Sequence, residues 1–292
     1  MDPSDSVLDG LIKIRETIDD SLTLRCSCRG AICGSCGMRI NGHSALACKT
    51  KVVSVTSEGE AIQVEPMTNM PVIKDLVTDM APFWSKIRQV QPWLQPQGPS
   101  PKAEYTAPPE AMSHLSGVMS CIMCGVCVAD CTVLEVDKSF LGPAALAKAY
   151  RFVADPRDAA NAQRLNMLNQ PGGMWDCTRC MECIQVCPKG VGPMDRIMSL
   201  RSKGMVTKVP ATCGSRHAEA FTDIIKHKGI LDEPMLAVRT FGLKHAGRLV
   251  SMIPMILQSV FKGKVPRSGP LHRPIPGIQR IQRLFKRART KA

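Results

Sequence analysis

The chain has 292 residues, 44% hydrophobic, 22% charged and only 4% aromatic, with 14 Cys, 17 Met and 22 Pro. A chain of that length buries a core without crosslinks, and that composition folds, which removes a disulfide scaffold and wholesale disorder. The net charge of +13 belongs to the end of the chain: residues 262–292 hold ten Lys/Arg and no Asp/Glu, so the remainder carries only +3 and is not a nucleic-acid-binding surface.

No basic stretch followed by an apolar one opens the sequence, so no secretory signal is expected, and cysteines are expected to act as ligands or thiols in a reducing compartment. Residues 6–18 place Val7, Leu8, Leu11, Ile12, Ile14 and Ile18 at mostly helical spacing, which predicts a helix with one wide apolar face. After a cysteine-rich loop, residues 37–40, 51–56 and 61–64 read as short strands separated by Asn-Gly and Glu-Gly turn signals. Six prolines crowd residues 92–109 into a semi-rigid strap, with a domain boundary expected between 90 and 112. From Ala111 the pattern turns helical, with openings predicted at Gly142-Pro143, Pro156, Pro193 and 232–234. The uncharged run 249–261 is too short to span a bilayer; it reads as a membrane-surface helix or as a helix docked on a partner.

The cysteines fall into three sets. Cys28, Cys33 and Cys36, with Cys48 after a longer gap, have the plant-type spacing of a [2Fe–2S] site, and Gly30, Gly34 and Gly37 permit the tight loop such a site needs. Cys121, Cys124, Cys127 and Cys131 form a C-x2-C-x2-C-x3-C run, repeated at Cys177, Cys180, Cys183 and Cys187. In two-cluster ferredoxins the fourth cysteine of each run serves the other cluster. Applied here, one site takes Cys121, Cys124, Cys127 and Cys187, and the other takes Cys177, Cys180, Cys183 and Cys131. Zinc is the alternative throughout: a structural zinc site uses two C-x2-C knuckles where the first set has one, and two zinc knuckles remain possible for the repeated runs, although the doubled x2, x2, x3 pattern is more specific for iron–sulfur. Cys26 and Cys213 are left as thiols, the latter read as part of a Thr-Cys-Gly turn. The six histidines (His43, His114, His217, His227, His245 and His272) show no spacing to Cys or Asp that suggests a metal site. Met174 and Trp175 read as core, or as shielding for the third cysteine site.

Four segments, SCRGAICGSCGMRING…LACKT (27–50), MPVIKDLVTDM (70–80), CIMCGVCVADC (121–131) and CMECIQVCPKGVGPMDRI (180–197), together resemble the iron–sulfur subunit of succinate dehydrogenase/fumarate reductase. The likeness runs from about residue 6 to about residue 205. It implies an α+β chain: a β-grasp [2Fe–2S] ferredoxin domain over 1–95, a Pro-rich linker over 96–111, an α-helical two-cluster ferredoxin domain over 112–205, and a helical extension with a basic tail over 206–292. It also implies electron transfer between an FAD-containing flavoprotein subunit and a quinone-reactive membrane partner, at the cytoplasmic face of the cell membrane, with no substrate site on this chain. A domain of this family opens with a β-hairpin ahead of the first helix that this sequence does not show; either the start is misplaced or a partner completes the domain, and the former is favoured.

Three departures qualify the resemblance. Common members hold a [3Fe–4S] cluster at the third site because one position there is not cysteine; here it is Cys180, so one [2Fe–2S], one [4Fe–4S] and a second [4Fe–4S] are expected, with [3Fe–4S] as the alternative. The family's quinone-site His and Trp correspond to Thr178 and Val136. Finally, the chain continues well past the family core, and its end resembles the tail of the C-type subunit of heterodisulfide reductase. These features are similar to an atypical, type E-like branch whose partner resembles the B-type subunit of heterodisulfide reductase, with its cysteine-rich repeats. The alternatives are an adaptor for another flavoprotein or for a heterodisulfide reductase-like complex, and a zinc-stabilised interaction module. Membrane contact is expected through partners or through the C-terminal helix and basic tail.

Overall fold

The structure, a computed structural model, describes the chain except for residues 1, 3, 58–59, 100, 243–245, 252, 264–272 and 292. It divides into two compact units, Met1–Val209 and Pro210–Ala292.

The first unit opens with α1 (Val7–Thr17), which starts where the sequence can satisfy it. The Ser6 hydroxyl accepts from the Asp9 amide and the Asp9 carboxylate accepts from the Ser6 amide, a reciprocal capping box. Its inner face buries Val7, Leu8, Leu11 and Ile12. β1 (Gly37–Ile40) and β2 (His43–Leu46) form an antiparallel hairpin around Asn41-Gly42, both at positive φ (48° and 81°), as a two-residue turn between twisted strands requires. β3 (Val64–Glu65) pairs on the other side of β1, giving the order β2-β1-β3. β4 (Val72–Lys74) and β5 (Val77–Thr78) make a separate ladder, and α2 (Ala81–Gln89) follows, burying Phe83 and Ile87. Residues 51–56 are not the strand that their β-branched side chains suggest. The Val52 amide bonds the Asp5 carbonyl, a single bridge joins Ser6 to Lys51, and the chain turns through a 3-10 turn at Val52–Ser54. The local hydrogen bonds around the start of α1 outcompete a ladder. No strand precedes α1 among the described residues.

After the proline strap come α3 (Pro109–Met112), α4 (Ser116–Met119), α5 (Val126–Ala129), α6 (Thr132–Val136), α7 (Gly142–Val153), α8 (Asn161–Leu168), α9 (Glu182–Gln185) and α10 (Pro193–Val206). Pro143 and Pro193 stand in the first turns of α7 and α10, where a missing N–H costs nothing. Pro156 does not open a helix: it lies in a turn after α7, and α8 starts only at Asn161. The reason is Asp155, whose carboxylate accepts from the Arg157 amide and closes a turn over the proline. α7 is buried along almost its whole length and packs against α2, α4, α5, α8 and α10.

One hydrophobic core runs from Val7 to Leu200 without a break at the strap. The strap itself is fastened. The buried Arg164 guanidinium donates to the carbonyls of Val90, Gln91 and Trp93 and to the Asp158 carboxylate, while the Gln95 amide donates to Asp158 and the Gln95 carbonyl accepts from Ala159.

The second unit is helical: α11 (Cys213–Lys228), α12 (Glu233–Phe241), α13 (Ala246–Ser251), α14 (Ile253–Phe261) and α15 (Ile278–Lys291). Cys213 is the first residue of α11 rather than part of a turn, because the Thr212 hydroxyl caps the Ser215 amide. Asp232 caps α12 by accepting from Met235, as the Asp-Glu-Pro sequence predicts. His245 and His272 lie outside the described residues.

Candidate functional site

The loop carrying Cys28, Cys33 and Cys36 owes its path to left-handed residues. Arg29, Ala31 and Gly34 have φ of 52°, 55° and 74°, which turns successive amides to one side. Those amides meet sulfur: Cys28 Sγ accepts from Gly30 N at 3.4 Å, Ile32 N at 3.3 Å and Cys33 N at 3.2 Å, and Cys48 Sγ accepts from Ala31 N at 3.3 Å. Ser35 Oγ lies 3.1 Å from Cys33 Sγ and, with backbone amides, draws the exposed Cys33 thiol down to about 6; burial pushes Cys36 up to about 12.

The two repeated runs interleave. Cys121, Cys124, Cys127 and Cys187 line one cavity, walled by Ile122, Ala144, Ala147 and Val191. Cys131, Cys177, Cys180 and Cys183 line a second, walled by Phe140, Pro143 and Ile197. Each cavity therefore takes three cysteines from one run and the fourth from the other, and Cys180 stands with the other three rather than apart. Burial pushes the Cys124 thiol to about 11 and Cys183 to about 12, and raises Cys127 as well. In walls this apolar, deprotonated sulfur is stable only with positive charge among it. The Val191 amide donates to Cys187 Sγ at 3.3 Å. Among the described residues no three His, Cys, Asp or Glu side chains close on a site for one metal ion; thiols that surround several irons stand farther apart than thiols on one.

Residues outside the cysteine motifs hold these loops. The buried Arg201 on α10 donates to the carbonyls of Met174, Trp175 and Cys177, fixing the approach to the last run, and its guanidinium lies over the Trp175 ring. Asn69 Nδ2 donates to the carbonyls of Val128, Ala129 and Cys131, and Ser44 donates through both its amide and its hydroxyl to the Asp130 carboxylate. The sequence signals none of these roles, since an Arg on a helix or an Asn in a loop is ordinary. Glycines mark the seam between the first two cysteine sites. A Cβ at Gly34 would collide with Cys124, one at Gly37 would press on Met67 and Val126, and one at Gly125 would press on Met70 and Met80.

Met174 is fully buried in the core, and the half-buried Trp175 packs against that core with Nε1 donating to Asn169. Thr178 lines the third cysteine cavity, whereas Val136 is 90% exposed. Cys26 is partly buried and packs against the first unit's core, and Cys213 lies in the second unit.

Residues 1–85 match the family described as a 2Fe-2S iron-sulfur cluster binding domain, and residues 117–191 match the 4Fe-4S dicluster domain. The chain is 40% identical over 196 residues to the succinate dehydrogenase iron-sulfur subunit of Paracoccus denitrificans, covering 67% of this chain and 74% of that protein. It is 42% identical over 194 residues to the fumarate reductase iron-sulfur subunit of Mycobacterium tuberculosis, covering 66% and 78%. The chain belongs to the succinate dehydrogenase/fumarate reductase iron–sulfur subunits. A chain of the Mycobacterium smegmatis Sdh1 complex in the apo form superposes with a TM-score of 0.67 at 27% identity, covering 73% of this chain and 90% of that one. This iron–sulfur subunit is thus an electron-transfer component of an oxidoreductase complex, with a [2Fe–2S]-binding domain before a [4Fe–4S]-binding one.

Proposed function

We propose that this subunit passes electrons between an FAD-bearing flavoprotein subunit that interconverts succinate and fumarate and a quinone-reactive membrane partner. Cys28, Cys33, Cys36 and Cys48 would hold a [2Fe–2S] cluster, Cys121, Cys124, Cys127 and Cys187 a [4Fe–4S] cluster, and Cys131, Cys177, Cys180 and Cys183 a third cluster, also [4Fe–4S]. The donor sets fit. They are soft thiols, those of the second and third sets lining apolar cavities, with amide N–H groups donating to the sulfurs of Cys28, Cys48 and Cys187. Bound clusters supply one-electron redox chemistry; the chain orients thiolates, excludes water and donates hydrogen bonds to sulfur.

The observation that carries the finer reading is Cys180 in the cavity lined by Cys131, Cys177 and Cys183. A fourth thiol completes a cubane, where the common family members lack one. Thr178 in that cavity and the exposed Val136 supply neither an imidazole nor an indole for a quinone beside this site. Both features favour the type E-like branch, a partner resembling the B-type subunit of heterodisulfide reductase, and a tail like that of its C-type subunit. In this reading the complex sits peripherally on the cytoplasmic face of the membrane.

Iron analysis with electron paramagnetic resonance of the oxidised and reduced protein tests the assignment. The expected result is about ten irons per chain and a silent oxidised state. A strong oxidised signal with about nine irons would assign a [3Fe–4S] third site and overturn the branch assignment, and a colourless zinc protein would overturn the whole reading. Reduction of the clusters by succinate in the isolated complex tests the flavoprotein partner.

A further inference from the structure

The formal charge of this chain is divided more sharply than its net value conveys. Residues 1–233 hold 25 Lys/Arg and 25 Asp/Glu, and residues 234–292 hold the other 13 Lys/Arg with no acid at all. The region with the electron-transfer cysteines is neutral, and the entire +13 lies beyond Glu233.

Two helices of the second unit present this region differently. α15 turns Ile278, Ile281 and Phe285 inward, packs on α11, and leaves Arg280, Arg283 and Arg287 exposed along one stripe. The fit depends on Gly229 after α11, where a Cβ would lie 2.6 Å from Ile275, whose amide donates to the Lys228 carbonyl just before α15. α15 therefore has Ile278, Ile281 and Phe285 in use, while Arg280, Arg283 and Arg287 are exposed with Leu284 among them. α14 is the reverse: Ile253, Met255, Leu257, Val260 and Phe261 are all exposed, Phe261 by 85%, and no charged residue interrupts 249–261. An exposed apolar helix inside an acid-free basic region matches the chemistry of an anionic lipid surface: apolar side chains enter the acyl boundary while Lys and Arg meet phosphates. Among the described residues no helix is long and apolar enough to cross a membrane. An acidic protein surface would match the charge but not the bare Phe261 and Leu257.

We infer that the extension beyond the family core is itself a bilayer-surface anchor, in which α14 lies in the interface of an anionic membrane and the basic stripe of α15 holds its headgroups. This does not rest on the cluster assignment. The test is flotation of the full chain with mixed phosphatidylglycerol–phosphatidylcholine vesicles and with pure phosphatidylcholine vesicles. Binding is expected to the mixed vesicles, at least about tenfold weaker to the neutral ones, and to fall with added salt. Met255→Glu with Phe261→Glu should abolish it. Arg280→Gln, Arg283→Gln and Arg287→Gln together should weaken it about a hundredfold, at about fivefold per basic residue. Both sets alter exposed positions, and circular dichroism checks that the helices persist. Absence of binding to anionic vesicles, equal binding to both vesicle types, or an unaffected Met255/Phe261 variant would each overturn the inference. Binding to an acidic partner protein without vesicle binding would do the same.

Discussion

Gly34 and Cys124 touch backbone to backbone across the seam between the first and second cysteine sites: a Cβ on Gly34 would lie 2.7 Å from Cys124 Cβ and 3.0 Å from its Cα. Glycine at this point sets how closely the two thiol sets approach. With φ at 74°, Gly34→Ala also meets left-handed strain of about 1–2 kcal/mol. The expected outcome is a chain that still binds iron but shows weaker magnetic coupling between its first two clusters. Gly42→Ala carries the same kind of strain at φ 81° with only Arg39 Nη2 within reach at 3.9 Å, and should leave that coupling unchanged. Equal coupling in both variants would remove the spacing role.

On the proposed assignment, Cys180 decides the type of the third cluster. Cys180→Ala should leave iron binding at the other two sites intact, lower the iron content by about one per chain, and introduce an oxidised-state paramagnetic signal absent from the parent. Quantitative iron analysis beside the spectrum separates this from loss of the whole cluster.

Asn69 sits at φ 62° so that its amide reaches the carbonyls of Val128, Ala129 and Cys131 together. Asn69→Asp replaces a donor with an acceptor facing three acceptors and should cost about 1–3 kcal/mol, more than Asn69→Gly, which loses the bonds but relieves the backbone. Denaturant midpoints of the two variants, followed by visible absorption, check the order.

Arg164 and Asp158 form a fully buried pair, Nη2 to Oδ2 at 2.9 Å. Arg164→Met strands the Asp158 charge and three carbonyls of the strap, for an expected loss of about 3–5 kcal/mol. Arg164→Lys restores the charge without the planar fork and should recover only a fraction of it. Limited proteolysis within 90–108 should rise in step with the loss.

Asp155, whose side chain is fully buried, is held well below the usual carboxylate range, first by the Arg157 guanidinium and then by the Arg157 amide and Arg151. A depressed folded-state pKa contributes stability that is present above the unfolded value of 3.8 and is lost as pH falls below it. The difference in stability between the parent and Asp155→Asn should therefore be constant at neutral pH, at about 2 kcal/mol, and shrink below about pH 4. Thermal melts of both proteins across that range give the curve; a difference that grows on acidification would contradict it.

The cysteine sets were legible because ligand spacing is a local property: a loop of fixed length must wrap a compact group, and the exchange of Cys131 and Cys187 follows from two such loops facing each other. Elements with local signals were legible too, such as the helical apolar spacing of α1 and the prolines of α7 and α10. Residues 51–56 were misread because β-branched side chains favour a strand only when a partner strand is available, and here the N-terminus of α1 takes the Val52 amide instead. Pro156 misled because a proline suits a turn and a helix start alike, and Asp155 decided between them. The roles of Arg164, Arg201 and Asn69 were not legible, since each depends on carbonyls far away in sequence that only tertiary contact brings within reach.

The continuous core from Val7 to Leu200 bears on the order in which the protein can be made. The strands and α1 leave the ribosome first, yet Met67 and Met70 pack with Val126, Val128 and Ala129, and the strap is fastened by Arg164. The leading half is therefore born with an open flank, and it closes only when residues well past the strap have emerged. Iron delivered early would enter a half-built pocket, whereas iron delivered after release would find all three thiol sets framed at once. Until residues 177–187 have emerged, neither the second nor the third cysteine cavity is complete, whereas all four cysteines of the first set are present by Cys48.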